Sequence, residues 1–295
     1  MNPAILGVIA ALSWGTHDFA ARFPSGRIGA THAVFGVSVA ALGWLSLWLL
    51  AAGSAPSLQP AHLWLPALTG ISFALATVWL FAALTAGPIA VVAPIVGAYP
   101  TYAVAFAFAM GTRPTLLDWL AMSAVILGVV VVARQGEDGV DDSAPGGGRI
   151  GARISARALI CAFAAGLGFA CSLTAGQHAA PLYGEVEATW LARIFGLATV
   201  TLACLLQARR PGAARLGRYG RWWVLLIVMG LLDSIALAAV VTAGHQPQAE
   251  IATVTSSSFG AVTVVLARIF LKEEVSLTQW GGIALIFAGV GTLSV

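Results

Sequence analysis

The chain has 295 residues, of which 59% are hydrophobic and only 9% are charged, and its mean hydropathy is +0.90. A soluble domain carries about 25% charged residues, so this composition excludes a water-exposed surface and predicts an integral membrane protein. The net charge of +3 does not favour nucleic-acid binding, because the arginines cluster beside apolar segments.

Ten apolar segments follow one another along the chain, each close to the roughly 20 residues that cross a bilayer. They cover residues 3–23, 28–52, 63–86, 88–110, 116–133, 158–180, 187–207, 222–244, 249–271 and 277–295. The first segment lacks a basic region before it, since the first arginine is Arg22, so it is predicted to be a helix and not a cleaved signal. The fold class predicted is an all-α membrane protein with ten transmembrane helices.

One long polar stretch divides these segments into two groups of five. Residues 135–157 are rich in Gly and Asp and cannot bury a core, so they are predicted to be a linker between units at 1–134 and 158–295. Five is an odd number, so the second unit would enter the membrane from the side opposite to the first. This predicts two inverted five-helix repeats, the usual plan of a carrier that works by alternating access.

A weak internal similarity supports this division. Short polar breaks at 111–115 and 272–276 each separate two apolar segments, and a shift of 161 residues superimposes them. The shift places Leu116, Trp119, Gly128 and Val129 on Leu277, Trp280, Gly289 and Val290. The shared order of segment, break and segment indicates two copies of one membrane unit.

The distribution of Lys and Arg predicts the orientation. Nearly all basic residues flank the connections after segments 1, 3, 5, 7 and 9, including five arginines in 209–221 and three in 149–157. The other connections hold only Arg113. The positive-inside rule therefore places the basic connections in the cytoplasm and both termini outside.

Several features resemble the EamA family of the drug/metabolite transporter superfamily. They are Trp14-Gly15, the Ala-rich third segment, the region of Pro94, and the two polar breaks, each followed by a segment closing with Gly-Val. The breaks are similar to that family's Gly-Glu-Arg-x-Thr turn, although Thr112 replaces the usual glutamate in the first.

The resemblance covers essentially the whole chain and implies a secondary transporter, often an exporter, of small metabolites such as amino acids, amines or drugs. It also implies coupling to an ion gradient or exchange, without catalytic residues or a bound cofactor. The family is usually drawn with both termini in the cytoplasm, which differs from the arrangement that the charge rule predicts.

Ionisable residues inside apolar segments are the first candidates for a site, because placing such a group in hydrocarbon costs at least about 2.5 kcal/mol. Asp18 and Asp233 are predicted either to accept a proton or to bind a cationic group of the substrate. Arg193 either pairs with one of them or holds a substrate carboxylate. The alternative is a structural ion pair or a charge that reaches the interface; His17, His178 and Glu187 are weaker candidates.

Polar and aromatic residues in the same segments complete the predicted substrate or ion site. They are Trp14, Trp79, Tyr99, Tyr102, Thr255, Ser256 and Ser257. The hydroxyls of the ninth segment either bond a substrate or bond back to the preceding turn, and plain packing is the alternative for the two tryptophans. Pro94 and Pro100 remove backbone hydrogen bonds, which indicates that the fourth segment lines a pathway.

The partners expected are a small-molecule substrate and the lipid bilayer of the cell (inner) membrane, with protons as a candidate further partner. The chain is expected to be a monomer or a homodimer. The alternatives are a membrane-embedded enzyme and a structural membrane subunit. The chain lacks a Gly-x-Ser-x-Gly elbow, a His-Glu-x-x-His zinc motif and an ATP-binding loop, so no enzyme, cofactor or metal site is predicted. Cys161, Cys171 and Cys204 are predicted to be packing residues.

Overall fold

The computed structural model describes residues 2–54, 59–109, 111, 113, 115–135, 155–208, 219–220, 222–244 and 249–293, and the regular structure in these ranges is entirely helical. A single 3-10 turn lies at Pro60–His62. The α-helices are α1 Pro3–Ile28, α2 Ala30–Ala52, α3 Trp64–Ala86, α4 Ile89–Gly97, α5 Tyr99–Ala109, α6 Leu116–Gln135, α7 Ala156–Tyr183, α8 Glu185–Ala208, α9 Trp222–Gly244, α10 Ala249–Ser256, α11 Phe259–Phe270 and α12 Leu277–Leu293.

Eight stretches of the described chain are long and apolar enough to cross a membrane, with α4 and most of α5 forming one of them at Ile89–Phe106. Two further apolar helices, α11 and α12, have 12 and 17 residues. The all-helical membrane fold is therefore confirmed. By length alone, eight stretches of the described residues suffice to cross a membrane, so the ten predicted crossings are not confirmed.

Two segments that were predicted as single helices are each divided in two. The segment at 88–110 breaks at Ala98 between α4 and α5, and the one at 249–271 breaks at 257–258 between α10 and α11. Pro94 and Pro100 flank the first break and lack the backbone N–H that would continue the helix. At the second, the N–H of Ser258 donates to the carbonyl of Thr255 at 3.2 Å, which tightens the turn.

The first helix of each half is longer than predicted and ends at a glycine. Helix α1 continues to Ile28 rather than 23, and α7 to Tyr183 rather than 180, so each contains a proline in its last turns. Gly29 and Gly184 follow them, both with φ of 89°. That left-handed conformation costs glycine little, and it lets the chain turn directly into the next helix.

Helices α6 and α12 begin with the same capping arrangement. The N–H of Thr115 donates to the carboxylate of Asp118 at 2.7 Å, and the N–H of Asp118 donates to the hydroxyl of Thr115 at 3.2 Å. Ser276 and Gln279 exchange the equivalent bonds at 2.9 and 3.1 Å. Both are capping boxes that satisfy free N–H groups of the first turn, and they lie 161 residues apart.

Helices α6 and α12 pack against each other in antiparallel directions through glycine. A Cβ on Gly128 would lie 2.6 Å from the carbonyl oxygen of Gly282, and a Cβ on Gly289 would lie 2.7 Å from that of Ala121. The 161-residue shift converts the first contact into the second. A two-fold axis between two antiparallel helices relates each contact to an equivalent one in which the helices have exchanged roles.

Several of the remaining helix contacts have the same symmetry. Helix α1 packs against α9, α10 and α11, as α7 packs against α3, α4 and α5; helix α2 packs against α9, as α8 packs against α3. The pair α2 with α8 maps onto itself, as the pair α6 with α12 does. The core therefore lies between the two halves, because most contacts join a helix of one half to a helix of the other.

Hydrogen bonds identify the two ends of the bundle. At the end where α1 and α3 finish, here called the linker end, Ser155 Oγ donates to the carbonyl of Ala86 at 3.2 Å. At the opposite end, where α2 finishes and α8 begins, the hydroxyl of Ser54 donates to the carboxylate of Glu187. The Tyr183 hydroxyl there donates to the carbonyl of Gln59 at 2.7 Å.

Candidate functional site

A cavity of about 540 Å³ lies in the middle of the bundle and is lined by both halves. Its size is within the range of about 300–1,000 Å³ that is usual for small-molecule sites. The ionisable residues in its wall are His17, Asp18, Glu185, Arg193 and Asp233. The aromatic residues in its wall are Trp14, Phe73, Tyr99, Phe169 and Phe259.

An ion pair joins α8 to α9 in the cavity wall. The Arg193 guanidinium donates to the carboxylate of Asp233 at 2.5 Å, and the two side chains are 13% and 9% exposed. Burial at this level makes each charge dependent on the other, because an unpaired charge in a low-dielectric interior is costly. The pair therefore fixes the relative positions of α8 and α9 at mid-bundle.

Two aromatic side chains of the first half hold this pair. The indole N–H of Trp14 in α1 donates to the other carboxylate oxygen of Asp233 at 3.2 Å. The guanidinium carbon of Arg193 lies 4.3 Å from the ring centroid of Phe73 in α3, a cation–π geometry. One ion pair of the second half is thus enclosed by two residues of the first.

A second polar pair lies deeper in the cavity, on α1. His17 Nδ1 is 2.9 Å from the carboxylate oxygen Oδ1 of Asp18, and both residues are buried. An ionised carboxylate only accepts hydrogen bonds, so Nδ1 carries the proton in this arrangement. The other ring nitrogen of His17, Nε2, is buried and has no hydrogen-bond partner within the described ranges.

Aromatic rings form two groups in the wall of the cavity. Phe169 of α7 contacts Phe73 at a centroid distance of 5.5 Å and Tyr99 at 6.4 Å. Trp14 meets Phe259 of α11 edge to face at 6.3 Å. These walls offer flat apolar surfaces between which a hydrophobic group fits.

The cavity is open at one end and closed at the other. Gln177 and Glu185 line it where α7 ends and α8 begins, and both are exposed. At the other extreme, Val34, Leu80 and Val96 line it and are 2–4% exposed. Water therefore reaches the site from the end opposite to the linker end.

An electrostatic clamp closes the linker end. The Glu273 carboxylate, in the break before α12, accepts hydrogen bonds from the N–H of Ile89 at 3.1 Å and of Ala90 at 3.0 Å. Arg22 of α1 donates to the same carboxylate at 3.3 Å and to the Gly87 carbonyl at 3.1 Å. A carboxylate at a helix N-terminus is stabilised by the free N–H groups and the helix dipole.

The backbone before this clamp adopts an uncommon conformation. Lys272 has φ of 55° and is the non-glycine residue with positive φ among those that the structure describes. A lysine in this region costs about 1 kcal/mol or more relative to glycine. It ends α11 abruptly and directs Glu273 towards the start of α4, whose residue Val96 closes the cavity.

The structure brings half of the predicted site residues together. Trp14, Asp18, Tyr99, Arg193 and Asp233 all line the cavity, although they come from four different helices. Arg193 pairs with Asp233 and not with Asp18.

The other predicted residues do not line it. Trp79 is 37% exposed at the outer face of α3, and Tyr102 lies against α7, where a Cβ on Gly166 would be 3.0 Å from its ring. The Thr255 hydroxyl donates to the carbonyl of Ile251 at 2.6 Å. Ser256 is buried and Ser257 lies in the break between α10 and α11, both outside the cavity wall.

Sequence reasoning missed other parts of the site. Phe73, Phe169 and Phe259 are ordinary apolar residues of ordinary segments, so nothing in the sequence distinguishes them from core residues. Glu185 was missed because the segment was predicted to begin two residues later. The break containing Glu273 was noticed, but its contact with α4 depends on the tertiary fold.

Within the described residues, no group of three His, Cys, Asp or Glu side chains is arranged to hold a metal ion, and Cys161, Cys171 and Cys204 are free thiols. The site can bind through charge, hydrogen bonds and aromatic surface. It contains no described nucleophile and base in contact that would indicate a catalytic centre.

Comparison with known proteins identifies the fold and the family. A solved structure described only as "Crystal structure of protein" superimposes with a TM-score of 0.61 at 17% sequence identity, covering 99% of this chain and 98% of that chain. That likeness concerns the fold alone. No curated relative matches the chain. The pattern of the EamA-like transporter family matches residues 1–134 and 156–295. The chain therefore belongs to the EamA-like transporter family and is a multi-pass membrane transporter of the drug/metabolite transporter superfamily.

Proposed function

We propose that this chain is a secondary transporter that carries a small metabolite, amino acid or drug-like compound by alternating access, as an exporter or exchanger. The observation that carries the proposal is the cavity between the two halves, open at one end and closed by the Glu273 clamp at the other. A carrier that works by alternating access has conformations in which its site is reached from one side of the membrane only, and this structure corresponds to one of them.

We also propose ten membrane crossings arranged as two inverted five-segment repeats, at 1–134 and 158–295. The exchanged contacts of α6 with α12 and the matching capping boxes support this arrangement. Helices α4 with α5 and α10 with α11 then act as one broken crossing in each half. Broken helices at equivalent positions of two repeats commonly flank the substrate site of transporters.

The proposed orientation follows the charge rule. The linker end carries the basic connections and would face the cytoplasm, so the open end of the cavity would face outside. A cysteine placed in 209–221 and labelled with an impermeant reagent tests this. Labelling from outside intact cells would reverse the proposed orientation.

Two carboxylates have proposed roles in the cycle. Asp233 holds Arg193 and Trp14 together, and its protonation would release both, so it is a proposed coupling group. Asp18 lies one turn beyond Trp14 on α1, pairs with His17 among the described residues, and is the proposed substrate-contacting acid. Trp14 and Tyr99 belong to the aromatic walls that would contain the rest of the substrate.

Cysteine accessibility tests alternating access without knowledge of the substrate. In a variant lacking the three native cysteines, Gln177→Cys reports on the open end and Leu80→Cys on the closed end of the cavity. A pH gradient across proteoliposomes should change the equilibrium between the conformations open at either end. The two labelling rates should then change in opposite directions.

A contrary result is easily recognised in this experiment. If both positions gain or lose labelling together, the cavity is a pore or a static pocket. If Leu80→Cys is never labelled from the linker end under any gradient, the alternating-access proposal is wrong.

A further inference from the structure

We propose that the substrate of the cavity is a protonated primary or secondary amine on a hydrophobic body, with its ammonium group at Asp18. This inference rests on the proposed transport function and specifies the chemical class that the same site selects. It follows from the charge balance of the wall, from the state of its hydrogen-bond donors and from its two aromatic faces.

The wall of the cavity carries an excess of negative charge. Its arginine, Arg193, is already paired with Asp233. Asp18 and Glu185, by contrast, have no Lys or Arg partner in the part of the chain that the structure describes. With His17 neutral, a bound cation is attracted by both of these carboxylates, and a bound anion is repelled by both.

The geometry of His17 favours the neutral form. Its Nδ1–H donates to Oδ1 of Asp18, and its Nε2 is buried without a partner within the described ranges. Adding a proton at Nε2 would bury an N–H group that no described residue accepts, which costs free energy. Oδ1 of Asp18 is thus engaged with His17, and Oδ2 is available for a ligand.

Four hydroxyl groups of the wall already use their hydrogens. Thr69, Thr77, Ser172 and Thr189 each donate to a backbone carbonyl at 2.8–3.0 Å. Their oxygen lone pairs remain free to accept. Trp14, a further donor of the wall, is engaged with Asp233. These four hydroxyl oxygens thus present acceptors to the cavity, and an ammonium group with two or three N–H donors matches them.

The aromatic walls fit the rest of such a molecule. Phe73, Phe169 and Tyr99 face one side of the cavity, and Trp14 with Phe259 forms another. A hydrophobic or aromatic body between these faces would be dehydrated, and the ring faces also attract a nearby cation.

A carboxylate substrate would meet a specific obstacle. Arg193 contacts Asp233 through Nη2, so a carboxylate that reaches the other N–H groups of Arg193 lies beside this acid and is repelled by it. Displacing Asp233 is also unfavourable, because separating a buried pair leaves a desolvated charge. A zwitterionic amino acid meets the same obstacle at its carboxylate end.

Four probes of one size test the proposal on the unaltered full-length protein. They are 2-phenylethylamine, its N,N,N-trimethyl derivative, 3-phenylpropionate and phenylalanine, and binding is measured by ligand-dependent thermal shift in detergent at pH 7. The amine should bind at least about tenfold more tightly than each of the others, because one charge-assisted hydrogen bond is worth about that factor. Asp18→Asn should weaken amine binding about tenfold, while the exposed control Glu274→Gln should leave it unchanged.

Other outcomes overturn the proposal. Equal or tighter binding of the carboxylate or of phenylalanine would show that Arg193 recognises the substrate. Equal binding of the trimethyl derivative would remove the role of N–H donors, and no binding of the amine would reject the class. The cysteine-labelling experiment does not depend on any of these probes, so alternating access can stand when this assignment fails.

Discussion

The Asp233 carboxylate lies 2.5 Å from the Arg193 guanidinium and accepts the indole N–H of Trp14 at 3.2 Å, so one acid joins α8, α9 and α1. Two of these helices belong to the second half of the chain and one to the first. Any movement of one half past the other must change the distances at this acid. The proposed role of Asp233 in coupling follows from that position.

Replacing Asp233 with Asn should abolish coupled transport or uncouple it from the proton gradient, while the protein still inserts in the membrane. Asparagine keeps the shape and an acceptor oxygen but has no charge, so Arg193 becomes an unpaired buried cation. Stability should fall by about 3 kcal/mol, as expected when one partner of a buried pair is removed. Uptake into proteoliposomes with an imposed pH gradient measures the first effect and thermal unfolding the second.

The double variant Arg193→Gln with Asp233→Asn is the control for this prediction. It removes both charges, so it should recover part of the stability lost in the single variant without recovering coupled transport. Unchanged proton-coupled transport in Asp233→Asn would reject the assignment.

Trp14 and Trp79 were equivalent candidates in the sequence, but the structure separates them. Trp14→Phe removes the N–H that Asp233 accepts, so transport should fall severalfold and stability by about 1 kcal/mol. Trp79→Phe alters a 37%-exposed side chain outside the cavity and should change neither. Transport rates and unfolding temperatures of the two variants, measured side by side, check this. Similar effects in both would mean that tryptophan packing, and not the bond to Asp233, is what matters.

Glu273→Gln should loosen the closed end of the cavity. Glutamine can still accept from the N–H groups of α4, but it loses the charge that interacts with Arg22 and with the helix N-terminus, worth about 1 kcal/mol. Losing about 1 kcal/mol of stabilisation raises the population of molecules whose cavity is open at the linker end about fivefold.

The measurement is the labelling rate of Leu80→Cys from the linker end. Glu274→Gln is the matched control, because Glu274 is the exposed neighbour in the same break. If the two substitutions accelerate labelling equally, the clamp does not determine closure.

Thr112→Glu should have the opposite effect on the equilibrium. Thr112 is the position that the 161-residue shift places on Glu273, so only the second break of the natural chain carries this carboxylate. Adding a glutamate to the first break should stabilise closure of the open end, lowering the labelling rate of Gln177→Cys about fivefold. Thr112→Gln, with similar size and no charge, is the control. An unchanged rate in Thr112→Glu would show that the two breaks are not equivalent in function.

The sequence predicted an all-helical membrane protein because that class depends on composition and on the thickness of the bilayer. It also located the two polar breaks, since capping residues act within a few positions of one another, as Thr115 with Asp118 and Ser276 with Gln279 do. The helix breaks at 98 and 257–258 were only partly foreseen. Proline marks the first, but serine is compatible with a continuous helix.

The sequence alone determined that this chain is a helical membrane protein, that a polar stretch divides it, and that Asp18, Arg193 and Asp233 are unusual in hydrocarbon. The tertiary structure decided which of these charges meet, which tryptophan joins them, and that Glu273 caps a helix more than 180 residues away in the chain. The physical reason is that hydropathy and capping are local properties, whereas side-chain partners depend on how helices are rotated and packed against each other.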